Sequence, residues 1–94
     1  MLHRGADEQD LRRKALAAVR AEALPCVPPQ RTWGGSGCGR LCLLCGHSIE
    51  SSEVEMELEF NAVDSETAPR VFHLHQPCFA AWEIARESAA GNPA

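Results

Sequence analysis

From Glu53 to Phe60 the chain alternates acidic and apolar residues without a break, reading Glu-Val-Glu-Met-Glu-Leu-Glu-Phe. A repeat of two is the signature of a strand with one face buried. Val54, Met56, Leu58 and Phe60 would share the inner face. Glu53, Glu55, Glu57 and Glu59 would share the outer one, as a solvated surface or, functionally, as an acidic docking face for a basic partner. The segment from Asn61 to Pro69 is polar and rich in turn formers, and Arg70 to His75 reads as a returning strand. The result is a hairpin with a long loop, in which Arg70 can pair with a glutamate across the ladder.

The period changes on either side of this hairpin. Residues 7–24 read as a helix. Asp7, Glu8 and Asp10 near its start suit the macrodipole, and Leu11, Ala15, Ala18 and Val19 recur at helical spacing, widened by Leu16. The stripe is mostly alanine, so it buries weakly. Pro25 is expected to stop this helix. A second helix follows Pro77, a residue favoured in a first turn. Phe79, Trp82 and Ala85 or Arg86 follow at helical spacing, and the two aromatic rings should face the hairpin. Gly91, Asn92 and Pro93 end it in a frayed tail. Between the first helix and the hairpin, residues 25–40 hold three prolines and four glycines and read as a linker, from which Trp33 is expected to fold back onto the core. The run Gly34-Gly35-Ser36-Gly37-Cys38-Gly39-Arg40 lacks the Gly-Lys-Ser/Thr ending and the preceding strand of a phosphate loop.

The elements make an α+β domain. The expected organisation is an N-terminal helix over 1–24, a linker over 25–40, a folded unit over 41–88 and a disordered tail over 89–94. Composition sharpens this picture. The 94 residues include two tryptophans, three phenylalanines and no tyrosine, a core poor in large side chains. Small scaffolds of this kind depend on a disulfide or metal staple. The opening residues turn charged before an apolar run forms, and no stretch approaches the roughly 20 apolar residues of a membrane span. A cytoplasmic setting, where thiols stay reduced and open to metal, is therefore expected. The net charge of −4 disfavours general binding to a phosphate backbone, although Arg12, Arg13, Lys14 and Arg20 gather in the first quarter.

Five cysteines bring the candidate chemistry. Cys42 and Cys45 form a Cys-x-x-Cys pair, and His75 and Cys78 form a His-x-x-Cys pair after a spacer of twenty-nine residues. Four such ligands in two tight pairs suit one structural zinc ion. Iron or cobalt could substitute in vitro. Cys42-Leu43-Leu44-Cys45-Gly46 reads as a tight turn with amides aimed at the thiolates, and Gly46 would take a positive φ. Cys78 would sit at a helix N-terminus, which favours a thiolate. His73 competes with His75, since both project to one side of the strand, but the spacing to Cys78 favours His75. Cys38 could replace a knuckle cysteine only if the knuckle is loose. Cys26 reads as a free thiol, His47 as a local hydrogen-bonding group and His3 as solvated. A redox role for Cys42 and Cys45 would need a βαβ setting, and none is seen.

The order of knuckle, hairpin and helix resembles a treble-clef zinc finger. The phrase Phe72-His73-Leu74-His75-Gln76-Pro77-Cys78-Phe79 resembles the end of the first zinc module of LIM domains. The likeness spans Cys42 to about Arg86, and by it Cys42, Cys45, His75 and Cys78 carry over as ligands. Two departures stand out: no second zinc module follows, and the spacer is longer. The whole chain also looks like small bacterial proteins of unassigned function with a Trp-Gly-Gly linker, a Cys-x-x-Cys-Gly knuckle and a final His-x-x-Cys helix.

Four protein ligands would close the metal site and leave no position for water. The His-x-Glu and Pro-Cys-x-x-Cys signature of zinc deaminases is missing, so no enzymatic activity is expected. The expected function is a structural zinc module that mediates protein–protein interaction, with regulation as one use of it. The alternative is a nucleic-acid-binding regulator using Arg12, Arg13, Lys14 and Arg20 together with Arg31 and Arg40.

Overall fold

A computed structural model describes the backbone over residues 4–61 and 69–91, with side chains over 8–61 and 69–89. His3, the side chain of Asp7, most of the hairpin loop and the last three residues lie outside the described part. Five elements follow in the order α1 (Arg4–Arg20), β1 (Arg31–Ser36), β2 (Val54–Phe60), β3 (Arg70–His75) and α2 (Gln76–Gly91). The strands form one antiparallel sheet in the order β1-β2-β3, and the two helices pack on each other and, through α2, on the sheet. The architecture is α+β.

The alternating segment is the central strand. Leu58 and Phe60 are buried, and Leu58 faces Phe72 across the ladder while Met56 faces Leu74. Trp82 of α2 seals this face. It is fully buried, with Phe60 edge-on at 6.0 Å, Phe79 at 5.9 Å and the Arg86 guanidinium 5.4 Å from its ring centroid. Its indole N–H donates to the Pro25 carbonyl at 2.8 Å, which satisfies the polar edge of a ring that would otherwise be costly to bury. This hydrogen bond ties the segment after α1 to the C-terminal helix.

The helical stripe on α1 packs as its spacing implies. Ala15 and Val19 are buried and Leu11, Leu16 and Ala18 lie against the core. The helix ends four residues earlier than the expected boundary at Leu24. Glu22 takes a left-handed φ of 63°, and the amides of Ala23 and Leu24 reach back to the Ala18 carbonyl. This is a helix-terminating turn of the kind glycine usually makes. It stops the helix before Pro25 can, and it buries Leu24.

Three expectations change here. The stretch read as a linker contains β1, which pairs along its whole length with β2. Glycines gave it no periodicity, and backbone pairing to a strong neighbour made it a strand. Gly37, just beyond β1, is pressed so closely on the Ile49 and Glu50 carbonyls that a Cβ would lie 2.4 and 2.2 Å from their oxygens. The glycine there allows close backbone approach. Trp33 does not fold back onto the core; it stands on the outer face of β1, 44% exposed. Arg70 faces Phe60 rather than a glutamate, and its buried Nε has no hydrogen-bond partner among the described residues.

Candidate metal centre

The loop between β1 and β2 carries the knuckle. Its ends are joined by a bridge between Leu41 and Ser48. The Cys42 amide donates to the His47 carbonyl and the Gly46 amide to the Cys42 carbonyl, both at 2.9 Å. Gly46 has a φ of 80°, the conformation expected just after the second cysteine. The knuckle is fastened to the sheet by the Leu43 amide, which donates to the His73 carbonyl at 2.9 Å. His75 ends β3, and Cys78 lies in the first turn of α2.

These elements bring Cys42, Cys45, His75 and Cys78 together, with one donor atom from each lying within 4.8 Å of the others. Cys42 and Cys78 are buried, and Cys45 and His75 half-buried. The amides of Cys45 and His75 each point at the Cys42 sulfur at 3.5 Å. The Cys45 sulfur and the His75 Nδ1 are 3.4 Å apart. In a zinc tetrahedron with usual bond lengths a sulfur–nitrogen edge is about 3.6 Å, so this pair already has nearly the spacing of two ligands. The donor set therefore fits a zinc ion.

The other side of the His75 ring strengthens that reading. Nε2 is 3.1 Å from the Glu53 carboxylate and 3.2 Å from the Ser48 carbonyl. Both are acceptors, so Nε2 is the protonated nitrogen and Nδ1 is left with its lone pair facing the cysteines. Metal-bound histidines are oriented in this way, with the far N–H held by a carboxylate or carbonyl. Glu53 is itself held by the Glu50 amide at 2.8 Å, and that hydrogen bond is the main reason its carboxyl titrates below the usual range.

Electrostatics in the protein without a cation point the same way. Three thiols this close cannot all ionise together. Cys42 is held well below the usual thiol range, chiefly because Cys78 donates to it, with the two amides adding to the effect against the cost of burial. Cys78 is pushed up by the same hydrogen bond and by burial, and Cys45 is pushed up mainly by burial. Burial would lower the histidine, but Cys42 and Glu53 outweigh it and raise His75. A dication would remove this competition by stabilising every thiolate at once. A cavity of about 510 Å³ opens beside the cluster, lined by Cys45, His75 and Cys78 with Leu11, Glu53 and Pro77, so small reagents can reach it.

The remaining candidates fall elsewhere. His73 turns to Glu55, with Nδ1 2.6 Å from its carboxylate. Cys38 is exposed and contacts Glu55 at 3.8 Å. Cys26 is an exposed free thiol, and His47 meets the knuckle through its backbone carbonyl. The four strand glutamates are not one solvated row, because Glu55 is only 7% exposed. Alternation could not reveal this, since it reports which residues share a face and not what meets them, here the His73 ring and the Cys38 thiol. Among the basic residues, Lys14 pairs with Asp10 at 3.2 Å. Arg40 lines a cavity with Glu55 and Glu57. No described helix is long and apolar enough to cross a membrane.

Comparison with protein-family models, curated proteins and solved structures finds no match to this chain. The likeness to LIM and treble-clef modules thus rests on the sequence motifs alone.

Proposed function

We propose that this chain is a treble-clef-like zinc module in which one structural zinc ion is held by Cys42, Cys45, His75 and Cys78, and that the surface fixed by the ion binds another protein. The observation that carries the reading is the orientation of His75, with Nδ1 toward Cys45 and Nε2 toward Glu53 and Ser48. When bound, zinc would neutralise the thiolates and cross-link knuckle, β3 and α2. Four protein ligands leave it no open position, so its role is structural and not catalytic. The knuckle presents Leu41 and Leu43, which are 68% and 45% exposed. Apolar side chains held out on a rigid turn are suited to protein contact.

The test has two stages. Elemental analysis of natively purified protein should give one zinc per chain, retained after extensive dialysis. Affinity capture with the zinc-loaded chain should then recover a partner that a Leu41→Ser, Leu43→Ser double variant loses while keeping its zinc. Absence of zinc would overturn the metal reading. A zinc-loaded chain that instead bound DNA or RNA with steep salt dependence, lost on replacing Arg12 and Arg13, would replace the protein-binding role with a nucleic-acid one.

A further inference from the structure

The outer face of the sheet carries a second group of metal-ligand side chains, separate from the cysteines. Glu57 and His73 are direct cross-strand partners on β2 and β3, and Glu55 lies diagonal to His73. One donor atom from each of Glu55, Glu57 and His73 falls within 4.8 Å of the others. Strand pairing alone produces this convergence, because all three side chains leave the same face.

Exposed acids often cluster without a ligand, but Glu55 is not exposed. Its carboxylate is more than nine-tenths buried, and among the described residues its ion-pair contact is His73. Burying a carboxylate is costly unless it is partnered, and the nearest partner here is the His73 ring at 2.6 Å. The Cys38 thiol contacts the other carboxylate oxygen at 3.8 Å. Beside the group lies an open cavity of about 240 Å³, walled by Trp33, Ser36 and Cys38 and reaching Glu55 and Glu57. Arg40 also lines it, and its single positive charge leaves the two carboxylates in excess.

We propose that Glu55, Glu57 and His73 form a second metal site, for a divalent first-row transition ion of the zinc or cobalt type. Two carboxylates balance the charge of a dication. The imidazole selects against magnesium and calcium, which take oxygen ligands. The 2.6 Å contact between His73 Nδ1 and Glu55 is a hydrogen bond. An ion would take its place, with the two donors separating to roughly 3.4 Å and the imidazole proton residing on Nε2. Three protein ligands leave coordination open toward the cavity, unlike the closed cysteine set. The second ion is therefore held more weakly and can accept a small anionic or neutral ligand from solvent.

The test uses the full chain carrying one zinc, titrated with cobalt(II) in a calorimeter. A second, weaker equivalent is expected. Glu57→Gln should lower the affinity of that equivalent about tenfold or more while leaving the first zinc in place. In the unsubstituted protein, the His73 imidazole resonances should shift or broaden as the second cobalt binds, a readout that does not depend on any variant folding. A titration with no second equivalent would overturn the proposal. So would a second equivalent that leaves the His73 resonances unmoved, or one whose affinity Glu57→Gln does not change.

Discussion

The helix side of the sheet and the knuckle are held by different means. Against the helices, Trp82, Leu58, Leu74 and Phe60 are buried together, and a single indole organises the packing. In the knuckle, Cys42 and Ile49 are buried but Leu41 and Leu43 face outward. What fastens the knuckle is a handful of backbone hydrogen bonds and three thiols that compete for protons. The first region can be stabilised by burial of apolar surface. The second has too little of it, and its Cys42, Cys45, His75 and Cys78 could hold a metal ion. With such an ion bound, the chain would divide its stability between a small core and a cross-link, as expected where few large side chains are present.

The sharpest way to break this comparison is to remove the cross-link. Chelation, or Cys42→Ser, should cost folding free energy on the order of 10 kcal/mol. That is comparable with the whole stability of an ordinary domain, about 5–15 kcal/mol. Far-ultraviolet circular dichroism and tryptophan fluorescence should therefore both report unfolding. Helical signal that survives full chelation would mean that the Trp82 core folds the chain alone. Acid should act in the same direction. Protons compete with the ion for thiolates and imidazole, so zinc is retained at neutral pH and released as the pH falls.

The core side is tested by Trp82→Ala, with an expected loss of about 3–5 kcal/mol. Denaturant unfolding of the zinc-loaded protein would measure it. Trp82→Phe separates packing from polarity, because it keeps a ring but leaves the Pro25 carbonyl unpartnered, and about 1 kcal/mol is expected from that loss. If Trp82→Ala cost no more than a surface substitution, the two regions would not divide stability as described, and zinc would carry nearly all of it.

What could be read from the residues follows the strength of local signals. The alternation at 53–60, the helix after Pro77 and the grouping of Cys42, Cys45, His75 and Cys78 each rest on short-range spacing, and the structure brings those residues together. Strand β1 was illegible because glycine-rich backbone carries no side-chain period, and its pairing is decided by β2. Trp33 was misplaced for the same reason: without the strand, its face could not be assigned. The burial of Glu55 was hidden because alternation reports which residues share a face, not what covers that face. His73 gave a usable signal, since its spacing from His75 put both on one side of the strand, but its carboxylate partners depended on strand register.

The smallest predicted effect probes how the metal side is tuned. Glu53 is a surface residue, yet it holds the Nε2 proton of His75 and helps raise the basicity of the ring. Glu53→Gln keeps an oxygen to accept from the Glu50 amide, so the turn at the start of β2 should survive. It removes the charge that polarises the imidazole. Competition with a chromophoric chelator should then show zinc affinity lowered about tenfold, the low end for loss of such a partner, because the Ser48 carbonyl still accepts from Nε2. An unchanged affinity would show that the Ser48 carbonyl alone fixes the ring, and that the knuckle's backbone, not its surface charge, sets the donor strength of His75. A loss far beyond a hundredfold would instead mean that Glu53 supports the fold of the knuckle itself, and the division between a packed core and a metal-held turn would then have to include this carboxylate as a third fastening.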